Sequence, residues 1–144
     1  MVLSITPLSD HVGAEVTGID LSKLVTEADR IAMQQAMTDH LLLVVRDQAL
    51  APAKLLAALR LFGETMEQHL SDMLMEEHPE IAVLDSRTSP KDNEGNTHPL
   101  GSRDWHTDHT NQARPPKMTA LYAVQLPQSG GGDTGFANMY AAYD

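Results

Sequence analysis

The hydrophobic positions of this chain change period several times along its length. "LSITPL" (3–8) and "GAEVTGIDL" (13–21) predict two short strands, with Gly13 and Gly18 allowing a bend or bulge. A helical period follows in "TEADRIAMQQAMTDH" (26–40). There Thr26 is placed to cap the first turn, Asp29 takes the capping-box position usually held by Glu or Gln, and Met33, Met37 and Leu41 share one face. These methionines read as core contacts rather than metal ligands. "LLLVV" (41–45) is a buried-strand pattern, too short to cross a bilayer. Pro52 suits the first turn of a second helix, "APAKLLAALRLF" (51–62), with Leu55, Leu59 and Phe62 on one side and Gly63 as its stop. "EIAVLDS" (80–86) predicts another strand.

From Arg87 to Arg103 neither period survives, and Pro, Gly and polar residues dominate. A long irregular stretch of this kind is either a functional lid or a surface loop. After it come "DWHTDHT" (104–110), the strand-like "KMTALYAVQL" (117–126), the turn "PQSGGGDTGF" (127–136), and "ANMYAAYD" (137–144), the start of a helix. No internal repeat is visible. With the helices crowded into the first half among short strands, the pattern predicts a mainly β or α+β fold rather than regular βαβ units.

Composition narrows the chemistry. The chain has 144 residues, 42% of them hydrophobic, which is enough for one domain with a real core. It has no cysteine, so disulfides, thiolate metal sites, iron–sulfur clusters and cysteine nucleophiles are excluded, and any metal must be held by His, Asp or Glu. A net charge of −10 argues against nucleic acid and anionic membrane surfaces as partners. The first ten residues show no signal-peptide pattern and no segment has bilayer-spanning length, so a cytoplasmic protein is expected.

The residues that carry chemistry cluster around the single tryptophan, in "SRDWHTDHTNQ" (102–112). If residues 105–110 are extended, His106 and Asp108 point to one face and His109 to the other. An imidazole and a carboxylate at that spacing, with a second imidazole from elsewhere, make the facial triad of non-haem Fe(II) oxygenases. On spacing alone the stretch reads equally as a polar turn.

The wider pattern is more specific. "LSITPLSDHVGAEVTGIDLS", "HLLLVVRDQAL", "LFGE", "WHTDHT", "RPPK", "LP" and "GGDTGFANMYAAYD" follow one another as ordered blocks. Together they resemble the taurine dioxygenase / 2,4-dichlorophenoxyacetate dioxygenase family of Fe(II)- and 2-oxoglutarate-dependent oxygenases. The resemblance covers nearly the whole chain, and residues 65–103 match least.

The resemblance implies a double-stranded β-helix, or jelly roll, of which residues 1–144 would be the N-terminal part. It implies His106 and Asp108 as the first two iron ligands and Thr134 as the hydroxyl that binds the distal carboxylate of 2-oxoglutarate. Glycines 130–132 would turn the backbone tightly beside it, and a hydroxyl is a suitable carboxylate donor. Read without the family, Thr134 is a turn residue. His69, shortly after "FGE", lies near the family's substrate-binding histidine, or is a solvated loop histidine. The Asp-Asn pair that precedes the iron-binding tryptophan in taurine enzymes is replaced by Gly101 and Ser102, which counts against taurine as substrate.

The implied reaction hydroxylates a small, anionic organic substrate with O2 while 2-oxoglutarate yields succinate and CO2. The family's third ligand, a histidine, and its 2-oxoglutarate arginine fall beyond Asp144, so the chain by itself is expected to be an inactive fragment. Exposed strand edges would then make other copies of the chain its partners. Two rival readings stand beside this one: a non-catalytic jelly-roll fragment or binding module, and a zinc-dependent hydrolase using His106, Asp108 and His109. The second conflicts with face alternation and lacks a placed general base.

Overall fold

A computed structural model describes residues 2–68, 71–88, 93–95, 104–128 and 130–144. They divide into two compact units, Met1–Glu64 with Ala123–Asp144, and Thr65–Tyr122.

The first unit is built on a three-stranded sheet in the order β1 (Ser4–Pro7), β2 (Ala14–Thr17), β3 (Leu43–Val45). β1 and β2 are antiparallel, with Ile5 opposite Val16. β2 and β3 are parallel, with Ala14 opposite Leu43 and Val16 opposite Val45. A parallel pair needs a crossover, and helix α1 (Glu27–His40) supplies it. One βαβ unit therefore stands where the sequence pattern predicted none. The α+β expectation holds, with mixed sheets and helices among the described residues. Strand pairing needs a partner at the right register, and alternation alone does not supply one.

Burial follows the two periods. Ala14 and Val16 point from β2 into the core, which also holds Met33 and Ala36 of α1 and Leu56 and Ala58 of helix α2 (Pro52–Leu59). Glu15 lies on the opposite face of β2 and pairs with Arg46 just past β3. Thr26 caps α1 as expected. Its hydroxyl accepts from the Asp29 N–H at 3.1 Å and donates to the Asp29 carboxylate at 2.8 Å.

The expected face of α1 breaks at its last member. Leu41 is the C-cap, left-handed at φ 64°, its N–H donating to the Met37 carbonyl, and it is 42% exposed. α2 begins at Pro52 but ends at Leu59, because the chain tightens into i→i+3 bonds from Leu61 to Ala58 and from Phe62 to Leu59. Its buried residues are Leu56 and Ala58, in place of the predicted Leu55 face. The Gln34 side chain ties the two helices by donating to the Leu61 carbonyl at 2.5 Å.

Gln48 anchors the loop into α1. Its amide oxygen accepts from Leu21 N–H, and its nitrogen donates to the Ile19 and Arg46 carbonyls. Gly18 opens this loop at φ 75°, and a Cβ there would stand 2.0 Å from the Val2 carbonyl oxygen. Only glycine fits.

The second unit contains a hairpin of β4 (Leu74–Met75) and β5 (His78–Ala82), joined by a tight turn and followed by a single 3-10 turn at Ser86–Thr88. The strand expected over 80–86 thus starts earlier and stops at Ala82. The stretch 117–126 joins neither sheet, contrary to expectation, and Val124 is 87% exposed. An apolar run becomes a strand only when a ladder takes its backbone groups. Most of 87–103, including His98, Gly101 and Ser102, lies outside the described residues. No helix among the described residues is long and apolar enough to cross a membrane.

Two outcomes follow from this packing. Gly18→Ala should destabilise the chain by more than the ~1–2 kcal/mol that a left-handed φ alone costs an L-residue, and by more than the ~1 kcal/mol expected for removing the Thr26 cap; urea denaturation of both variants checks this.

The second concerns acid. Hydrogen bonds from the Ser22 side chain, Lys23 and the Ser22 N–H draw the Asp20 carboxyl down from 3.8 to about 2. Those from the Arg87 guanidinium and N–H do the same at Asp85. Because the folded values are lowered, the stability they contribute is complete above the unfolded carboxyl range and is lost as pH falls from 3.8 through about 2. Side-chain NMR titration should find both carboxyls still ionised at pH values where unfolded aspartate is protonated, and Asp20→Asn and Asp85→Asn should flatten the acid limb of the unfolding curve.

Candidate metal centre

The extended segment expected over 105–110 is not a strand. Trp105–Thr107 carries no regular structure, and the chain then turns over residues 108–111. His109 is left-handed at φ 54°, and the Gln112 N–H donates to its carbonyl at 3.0 Å. The alternation expected to set His109 opposite His106 and Asp108 therefore has no strand behind it. Polar residues at 107–111 favour a turn over a strand, and among the described residues no strand pairs with this segment.

His106 and Asp108 nevertheless meet. His106 Nε2 lies 3.2 Å from Asp108 Oδ1, and His106 Nδ1 lies 2.8 Å from the Asp104 carbonyl oxygen. A carbonyl can only accept, so Nδ1 carries a proton. In the neutral ring Nε2 then presents its lone pair to a carboxylate oxygen. Two lone pairs at that distance repel unless a proton or a cation lies between them.

The pair fits a cation. Two ligands set at right angles, ~2.1 Å from an octahedral ion, stand roughly 3.0 Å apart. A nitrogen and a hard oxygen donor also suit a first-row divalent metal. The site is open to solvent: the His106 side chain is 50% and the Asp108 side chain 42% exposed, and Trp105 beside them is 76% exposed. His106, Asp108 and His109 do not form a three-ligand group, nor does any other set of His, Asp and Glu among the described residues. That removes the geometry a zinc hydrolase would need here.

The other predicted residues are placed as follows. Thr134 belongs to the first unit, exposed in an irregular segment that follows Gly130, Gly131 and Gly132, all at positive φ (72°, 84° and 75°). The left-handed backbone that glycine permits is present at all three, but residues 130–133 form no regular turn. His69 lies outside the described residues.

Two contributors escaped the sequence reading. The Asp104 carbonyl is a backbone group and carries no residue-type signal. Asn138 had one, an Asn directly before an apolar helical run. Its side-chain oxygen caps helix α3 (Met139–Tyr143) at the N–H groups of Tyr140 and Ala141, and its amide donates to the His11 carbonyl at 2.7 Å.

The profile of the taurine catabolism dioxygenase TauD, TfdA family matches residues 4–144. The chain belongs to that family. It is 34% identical to pentalenolactone F synthase of Streptomyces avermitilis over 92% of its own length and 44% of that protein's. It is 33% identical to the (S)-phenoxypropionate/alpha-ketoglutarate-dioxygenase of Sphingobium herbicidovorans, over 97% of the chain and 46% of that protein. It thus spans less than half the length of these curated relatives. A crystal structure of a taurine dioxygenase from Burkholderia xenovorans superposes with a TM-score of 0.52 at 28% identity, covering 60% of this chain and 33% of that one. Membership of a dioxygenase family with alpha-ketoglutarate-dependent relatives accords with the oxygenase expectation.

The tautomer can be checked directly. Long-range 15N NMR of the His106 ring should show the Nδ1–H form when the ring is neutral. A predominant Nε2–H form would mean that the Asp104 carbonyl does not set the ring.

Proposed function

We propose that this chain is the iron-binding N-terminal part of an Fe(II)- and 2-oxoglutarate-dependent dioxygenase that hydroxylates a small, anionic organic substrate. The observation that carries the reading is the 3.2 Å approach of His106 Nε2 to Asp108 Oδ1, with Nδ1 already committed to the Asp104 carbonyl, in a chain of this family. In this reading His106 and Asp108 hold Fe(II), and Thr134 donates its hydroxyl to the distal carboxylate of 2-oxoglutarate. His69 is a substrate contact. The bound iron and 2-oxoglutarate supply the oxidising power for C–H hydroxylation by O2, with succinate and CO2 as co-products.

The residues of this chain contribute position. The Asp104 carbonyl keeps the proton of the neutral His106 ring on Nδ1 and so leaves Nε2 as the ligand nitrogen. Asp108 adds a negative charge that offsets part of the charge of a divalent ion. The complete fold in this reading is the double-stranded β-helix, and the 144-residue chain alone is expected not to turn over substrate. The anionic substrate class is supported by the phenoxypropionate named for one relative. The departure at Gly101 and Ser102 counts against taurine itself.

The test is succinate production from 2-oxoglutarate against a panel of aryloxyalkanoates, sulfonates and other small acids. It compares residues 1–144 with a form extended to the length of the relatives. Turnover should require the extended form, Fe(II) and O2, and Asp108→Ala should abolish it. Thr134→Val should raise the 2-oxoglutarate requirement by about ten- to a hundred-fold, the worth of one hydrogen bond to a charged group, while sparing iron binding. Turnover that survives iron chelation, or that is untouched in Asp108→Ala, refutes the assignment.

A further inference from the structure

Helix α3 cannot hold its shape by the means that hold α1 and α2. It is five residues long and none of them is buried. Isolated helices shorter than ~12–15 residues are marginal in water, and without burial no packed face makes up the difference. What α3 does have is Asn138. The Asn138 Oδ1 accepts from the Tyr140 and Ala141 N–H groups at 2.9 and 3.2 Å. Its Nδ2 donates at 2.7 Å to the His11 carbonyl, 127 positions away and in the same compact unit. The two ends of the amide cannot be exchanged. A flipped side chain would set NH2 against two donors and the oxygen against an acceptor.

The His11 carbonyl belongs to the tip of the β1–β2 hairpin, and Ser9 organises that tip. The Ser9 Oγ accepts from the His11 N–H at 3.3 Å and from the Val12 N–H at 3.0 Å, and donates to the Val12 carbonyl at 2.7 Å. The Leu8 N–H closes the loop on the Gly13 carbonyl at 2.8 Å. The His11 carbonyl and the Val12 N–H are two ends of one planar trans peptide and point in opposite directions. By holding the N–H, Ser9 therefore aims the carbonyl, and that carbonyl is the one Asn138 takes. A single rigid peptide joins the two side chains.

We propose that α3 is a conditional helix, latched by Asn138 to the β1–β2 hairpin tip so that helix and tip order together. A cap alone would satisfy two N–H groups and leave the cap side chain free to leave them. The bond from Nδ2 fixes that side chain in the capping rotamer and ties it to the sheet, so the entropy of ordering it is shared by both contacts. The coupling is reciprocal: a formed α3 steadies the tip as much as the tip steadies α3. Neither residue of the metal pair takes part, so the latch stands whether or not His106 and Asp108 bind a metal.

The experiment is NMR of the labelled 144-residue chain at neutral pH. Cα shifts of residues 139–143 read the helix, and amide exchange at Tyr140 and Ala141 reads the cap. The Ala14 amide, bonded to the Leu42 carbonyl at 2.9 Å, reports whether the sheet is intact. Asn138→Asp keeps an equally good capping oxygen and removes the donor. It should reduce the helical shifts and speed exchange at Tyr140 and Ala141 by roughly two- to tenfold, the worth of one neutral hydrogen bond, with Ala14 unchanged. Ser9→Ala, at the far end of the latch, should do the same although the cap residue is untouched. Ser9→Thr keeps the hydroxyl and should behave as the wild type.

An α3 as helical in Asn138→Asp as in the wild type would show that the cap suffices, and overturn the proposal. An α3 unchanged in Ser9→Ala would overturn it too, because tip and helix would then be independent. Unstructured shifts over 139–143 in the wild type overturn it outright. If Ser9→Ala also frees the Ala14 amide, Asn138→Asp, which leaves the tip sequence intact, decides alone.

Discussion

An imidazole nitrogen and a carboxylate oxygen 3.2 Å apart, with the other ring nitrogen already bonded to a carbonyl, make an arrangement that neutral chemistry disfavours. With nothing between them, the two lone pairs repel. A divalent cation turns the same repulsion into attraction, because both lone pairs then point at positive charge. The fold around Trp105–Gln112 has to hold the two groups together in the open, where solvent competes with every contact. On the imidazole side it does so with backbone, through the Asp104 carbonyl. Backbone groups are well suited to this because they have no rotamers to lose.

The first unit meets a different demand. Its central strand, β2, pairs antiparallel on one side and parallel on the other, and the parallel pairing obliges α1 to cross over the sheet. The crossover is possible because the loop before α1 starts on a glycine pressed against the Val2 carbonyl and is held by the three hydrogen bonds of the Gln48 amide. Burial of Ala14 and Val16 against the helices then favours that register, since a slip of one residue would bring Glu15 inward. Small residues at 14, 36 and 58 let sheet and helices approach closely, with Met33 as the largest fully buried side chain.

Much of this was legible in the chain. Local rules located the first three strands, the Thr26 cap and the Pro52 start, because each depends on a few neighbouring residues. The same rules overran at Leu41 and Phe62, where helix ends are settled by which carbonyls remain to be satisfied. They failed at 117–126, where the pattern supplied an apolar run but no ladder to join. The βαβ crossover was missed because whether two strands lie parallel depends on how the intervening helix packs, and periodicity is silent on that.

What the sequence by itself determined is the family, together with the residues of the candidate site. Residue identity carries both: His and Asp at a spacing of two, a threonine after three glycines, and a run of ordered blocks. What only the tertiary structure decided is that His106 and Asp108 meet in an irregular segment just ahead of a turn rather than along a strand, and that the Asp104 carbonyl chooses which nitrogen remains available. Neither has a residue-type signature, because main-chain groups are the same at every position and only the path of the chain brings one of them to the ring.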